Sequence, residues 1–181
     1  MLPVTVDAYI SAPREELYDW IADLASRPAW CDHFQKDYRL AHPRSHGSGA
    51  AARYLLDAPR ARMYVETTIV EGERARSIVE ATHGGRYGRT KGEVVWEISR
   101  AGQGLTKIEM TTQWETATPR ERFKERLGSR RWLRRQSKTA LERLRVIFEE
   151  HPEGPLARAT MAGFEPLKAP RFGASPRPIR G

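Results

Sequence analysis

From Tyr54 to Glu115 the chain falls into short strand-like runs separated by turn formers at Ala58-Pro59, Glu71-Gly72-Glu73, Gly84-Gly85 and Ala101-Gly102-Gln103-Gly104. That is the pattern of an antiparallel meander, and it constrains the fold more than any other feature. The last strand shows two faces plainly. Thr106, Ile108, Met110, Thr112 and Trp114 share one, and Lys107, Glu109, Thr111, Gln113 and Glu115 share the other. In the strand before it Val94, Trp96 and Ile98 oppose Glu93, Glu97 and Ser99. In the two earlier strands Met63, Val65, Thr67 and Ile69, then Val79, Ala81 and His83, are assigned to the inner face, because Arg62, Glu66, Arg76 and Glu80 occupy the other parity.

A sheet with one apolar face needs a partner to cover it. Thr118-Pro119-Arg120-Glu121 matches a capping box with proline at the first helical position, and it opens a helix predicted to run to about Glu150. Phe123, Leu127, Leu133, Ala140, Leu141, Leu144 and Phe148 recur at three- and four-residue steps, so one stripe can lie across the concave face of the sheet. Gly128-Ser129 marks a bend or a lid within it. At the other end of the chain, Val4, Val6, Ala8 and Ile10 alternate with polar residues as a half-buried strand. Ala12-Pro13-Arg14-Glu15-Glu16 then opens a helix with a Leu17, Ile21, Leu24 stripe. Ser26-Arg27-Pro28 interrupts it, a short second helix or a bend begins at Trp30, and a turn-rich loop spans 42–49. The expected class is α+β, with a domain over 1–150. The proline-rich 151–181 segment is expected to be extended and poorly ordered unless it docks.

Charge is uneven along the chain. Sixteen acidic and fifteen basic residues fall in 1–118, five and eleven in 119–150, and two and five in 151–181. The excess is all C-terminal, so the high pI describes a basic end. A single cysteine, Cys31, excludes an internal disulfide. No segment approaches the roughly 18 apolar residues of a membrane span, and a soluble, cytoplasmic protein is expected.

The order of strand, two short helices, six-stranded meander and long C-terminal helix resembles the helix-grip fold of the START and birch-pollen-allergen superfamily. More narrowly it resembles the bacterial polyketide cyclase/dehydrase and lipid-transport branch, SRPBCC. The residues that carry this are Ala12 to Leu24 with Pro28 and Trp30, then Gly92-Glu93-Val94-Val95-Trp96, Gly104-Leu105-Thr106-Lys107, and Leu141 to Glu149, within a resemblance over about 3–150. It implies a curved sheet wrapped around the long helix with a hydrophobic cavity between them, and it carries over no catalytic signature.

Such a cavity would be lined by Trp20, Trp30, Tyr54, Met63 and Val65, by Val94, Trp96, Met110 and Trp114, and by Phe123 and Leu127. Thr67, His83 and Thr112 are the polar groups among them. Apolar walls with a few orienting polar groups are the composition of a small-molecule site, although each side chain taken alone equally suits a packed core. Binding or transport of a lipid, polyketide or isoprenoid-like molecule is the leading expectation. A cyclase- or dehydrase-like enzyme is the alternative, with His83 as proton carrier, but no carboxylate falls on the assigned inner parity to support it.

A third alternative is an interaction module. Arg126, Arg130, Arg131, Arg134, Arg135 and Lys138 run along the helix without an acid, and could meet anionic membrane or nucleic acid. Cys31, His33, His42 and His46 do not have the spacing of a metal site, since Pro43 blocks the helix that would gather the last two. Gly47-x-Gly49-x-x-Ala52 follows a loop and leads into a strand, unlike a dinucleotide motif. Nothing in the sequence identifies a cofactor or an oligomeric state.

Overall fold

The computed structural model describes residues 2–59, 61–85, 88–115, 129–152 and 154–161. β1 (Val4–Ile10) leads into α1 (Arg14–Ala22), a single 3-10 turn at Leu24–Ser26 and α2 (Pro28–Cys31), whose first residue is the proline that ended α1's pattern. β2 (Gln35–Leu40), β3 (Ala51–Ala58), β4 (Ala61–Glu73), β5 (Ser77–Gly84), β6 (Thr90–Gly102) and β7 (Leu105–Trp114) form the meander. α3 (Arg130–Glu149) and the short β8 (Thr160–Met161) follow. The sheet order is β1-β7-β6-β5-β4-β3-β2-β8, antiparallel except for β8 along β2.

The sheet is curved and unclosed, and α3 packs against β1 and α2. Leu133, Ala140, Leu141 and Leu144 of α3 are buried, and Phe148 is half-buried against the core, as the helical spacing requires. The predicted helix start at 118–121, with Phe123, Leu127 and Gly128, lies outside the described residues.

Two expectations need correction, and one that was left open takes one of its alternatives. β5 turns its other face inward: Ile78, Glu80 and Thr82 are buried, while His83 is exposed and Val79 and Ala81 are only half-buried. Glu80 misled the parity assignment because a carboxylate normally marks the solvent face; here it is neutralised internally. β2 completes the expected six strands of the meander, but its place at Gln35–Leu40 was not located from sequence. Asp37 sits there at a φ of 50° beside a register shift between Lys36 and Arg39, so its residues do not alternate. The tail docks at least through Met161, for Ala159 N donates to Ala25 O, Arg158 pairs with Asp23 at 2.6 Å, and Thr160 and Met161 extend the sheet.

Candidate functional site

Local sequence places an arginine at the middle of the concave face. Asp23 caps the 3-10 turn by accepting from Ala25 N at 3.1 Å, and the Ser26 hydroxyl lies 2.8 Å from both Trp20 O and Asp23 O. This stiffened turn delivers Arg27, 3% exposed, into the core. Its Nη2 donates to Glu80 Oε1 at 2.6 Å and to Ile21 O at 3.3 Å. Glu80, 2% exposed, also accepts from Trp96 Nε1 at 2.8 Å and, through Oε2, from Thr67 Oγ1 at 2.9 Å.

The guanidinium lies 4.9 Å from the Trp30 ring and 5.2 Å from Trp96, and these two rings meet edge to face at 5.6 Å. Two buried opposite charges thus have both a partner and aromatic faces beside the cation. Burial pulls the Arg27 pKa down, but the Glu80 carboxylate overrides it, so the guanidinium is held above its ordinary value.

Around this pair, burial pushes up the Cys31 thiol and the Tyr38 and Tyr54 hydroxyls, whose rings stack at 5.5 Å. None of the three is ionised at neutral pH. Three of the carboxylate's lone-pair sites are already occupied by donors. The cluster therefore suits holding shape and charge balance better than proton transfer.

A second polar set adjoins this cluster: Thr82 is two residues beyond Glu80 on β5, Thr112 on β7 is in line with Glu80 across Val94, and Ser137 is on α3. Thr82, Thr112 and Ser137 are 1%, 3% and 1% exposed, and none of their hydroxyls has a hydrogen-bond partner among the described residues. Thr106, on the same strand as Thr112, differs: it donates to Ala12 O at 2.7 Å. Register places Thr82 opposite Gly92 on β6, and Thr112 opposite Val94. Gly92 is required here, since a Cβ would come within 2.7 Å of Thr82 Oγ1, the Trp114 ring and Gln113 O. Unpartnered atoms also remain at Arg27 Nε, Trp30 Nε1 and Tyr38 Oη.

Of the residues proposed from sequence, Trp30, Tyr54, Val65, Thr67, Val94, Trp96, Met110, Thr112 and Trp114 are buried on the face expected of them, and Met63 is half-buried. Trp20, also half-buried, packs edge to face on Phe148 at 6.0 Å, against the C-terminal end of α3. His83 stands on the opposite face of the sheet, beside an open groove of about 520 Å³ that includes Arg53, Tyr64 and Glu66.

Sequence reasoning missed Arg27, Glu80, Thr82, Tyr38 and Ser137. The available signal was Glu80 itself, a single acid within Ile78-Val79-Glu80-Ala81-Thr82. Cys31 is buried beside Arg27, and His33 Nε2 lies 3.1 Å from Gln136 O, so the two point to different partners. Among the described residues, no three His, Cys, Asp or Glu side chains gather as a metal site. No described helix is long and apolar enough to cross a membrane.

The sequence model of the family described as polyketide cyclase/dehydrase and lipid transport matches residues 1–149. Among similar solved structures, a Thermus thermophilus protein, TTHA0849, is 16% identical with a TM-score of 0.63, over 83% of this chain and 99% of that one. A START superfamily protein from Mycobacterium smegmatis is 15% identical with a TM-score of 0.61, again over 83% and 99%. At such identities these likenesses establish the fold alone. No functionally curated protein matches the sequence.

Proposed function

This chain belongs to the polyketide cyclase/dehydrase and lipid transport family, and on that premise we propose that it binds a mostly apolar small molecule between the concave face of its sheet and α3. The observation that carries the proposal is the set of buried, unpartnered hydroxyls of Thr82 and Thr112 on the sheet and Ser137 on α3, beside a charged pair that neutralises itself. Leaving a buried hydroxyl unmatched costs about 1–3 kcal/mol, and a ligand oxygen would offset that cost. Trp30, Val65, Val94, Trp96, Met110 and Trp114 would supply apolar wall. Covering ~300 Å² of ligand surface would contribute ~7 kcal/mol before association costs.

Native mass spectrometry of the purified protein, with extraction and identification of anything bound, tests this. A stoichiometric apolar molecule supports the proposal. If no retained ligand is found and a panel of lipids and polyketides produces no thermal shift, it fails.

The cyclase alternative loses its proton carrier, because His83 faces away from this site. A basic contact surface keeps one specific support: Arg130, Arg131, Arg134, Arg135 and Lys138 are all exposed on α3, in contrast to Arg143 and Arg145 further along, which pair with Asp32 and Glu142. Contact with an anionic membrane from a cytoplasmic location would make binding fall steeply with salt.

A further inference from the structure

The charges on the concave face cancel. Among the described residues Arg27 and Glu80 are the two buried charged side chains, and they are bonded to each other. A ligand that brought a carboxylate, phosphate or ammonium to this face would bury a charge with no counter-ion left for it, a cost of several kcal/mol per ion. What the face does leave unmet is neutral hydrogen bonding. The Thr82, Thr112 and Ser137 hydroxyls can each donate and accept, while Arg27 Nε and Trp30 Nε1 can only donate.

The positions also agree. Thr82 on β5 and Thr112 on β7 flank β6, two strand spacings apart and offset by two residues, about 12 Å in all, so each meets a different part of a ligand. Ser137 faces the core from α3.

We infer that the ligand of this site is a neutral molecule bearing hydroxyl or carbonyl oxygen, gripped by Thr82 and Thr112, and that the site discriminates against charged amphiphiles of the same shape. This deepens the proposed function and rests on the binding site being real. It assigns Arg27 and Glu80 to the framework and the threonines to recognition. Specificity follows the asymmetry of polar recognition: a site with unmatched hydroxyls rejects analogues that cannot bond them more strongly than apolar walls reject a change of size.

The test uses the full chain, the neutral dye Nile red, and four decyl probes as competitors: 1-decanol, 1-chlorodecane, decanoate at pH 8 and decyltrimethylammonium. Decanol should displace the dye at roughly one-tenth the concentration that either charged probe needs. In the Thr82→Val/Thr112→Val protein the advantage of decanol over chlorodecane, read as the ratio of their displacing concentrations against the same dye, should shrink by roughly tenfold. Decanoate or the ammonium competing as well as decanol would overturn the inference. So would an alcohol preference that survives the double substitution. The wild-type comparison of alcohol with acid stands whether or not the variant folds. A protein that takes up neither the dye nor any decyl chain overturns the binding site itself, an outcome distinct from binding without discrimination.

Discussion

Two polar regions share one apolar face, and they handle polarity in opposite ways. Around Arg27 and Glu80 the charges are matched inside the protein, with Thr67 and Trp96 completing the carboxylate's shell. Beside it, Thr82 and Thr112, with Ser137 from α3, have no such completion among the described residues. A buried charge is tolerated only with a counter-ion, and the Arg27–Glu80 pairing supplies one even though Arg27 Nε has no partner among the described residues, so the first region reads as framework. An unmatched hydroxyl is tolerable singly but seldom left in threes, so the second reads as a surface awaiting a partner.

The largest expected effect comes from raising the pH, which acts on the framework side. In the fold, burial holds Cys31, Tyr38 and Tyr54 protonated above their ordinary values of 9.0 and 10.0. In the unfolded chain they release protons at those ordinary values, so above about pH 9 the folded state binds more protons and stability falls as pH rises; below it their contribution is fully present. An alkaline titration followed by circular dichroism and tyrosinate absorbance should show Tyr38 and Tyr54 ionising only as the fold is lost. Complete tyrosinate formation with the dichroism intact would break the assignment of these rings to a closed region.

Next in size is the ion pair. Arg27→Met or Glu80→Leu alone should each cost about 3–5 kcal/mol in urea unfolding, because each strands a buried charge. The double variant should recover much of that loss. The exposed Arg53–Glu66 pair, also at 2.6 Å, gives the contrast: removing it should cost no more than about 1 kcal/mol. If Arg27→Met cost as little, the framework reading would be wrong.

What could be read from sequence followed the same division. β6 and β7 were legible because the charged residues of Lys91 to Ser99 and of β7 fall on one parity, so the inward positions of Trp96, Met110 and Trp114 needed no knowledge of the rest. β5 was not, since Val79 and Ala81 made one parity apolar while Arg76 and Glu80 marked the other as the solvent face, and Glu80 is buried. Its partner is Arg27, 53 residues earlier in a turn, and long-range charge pairing leaves no periodic trace. β2 was hidden by the left-handed Asp37 and its bulge, and β8 by being two residues long. The basic stripe on α3 was legible as an exposed face because helical spacing alone sets it. The candidate site was half legible: Thr67 and Thr112 were placed correctly, but their difference lies in which hydroxyl finds a bond, which no parity rule reveals.

That difference supplies the finest test. Thr67 and Thr82 face each other across β4 and β5, equally buried at 2% and 1%, and valine replaces threonine with nearly the same shape. Thr67→Val removes a bond to a buried carboxylate and should cost about 1.5–3 kcal/mol. Thr82→Val and Thr112→Val remove hydroxyls with no partner in the ligand-free protein, so unfolding measurements should show a change below about 0.5 kcal/mol, or slight stabilisation. Equal losses at Thr67 and Thr82 would mean that the second hydroxyl is satisfied within the fold, and the contrast between framework and recognition surface would disappear. A loss at Thr67 alone sharpens it, because the same chemical change would then be costly where the hydroxyl bonds Glu80 and free one strand away, where only a ligand could make the hydroxyl matter.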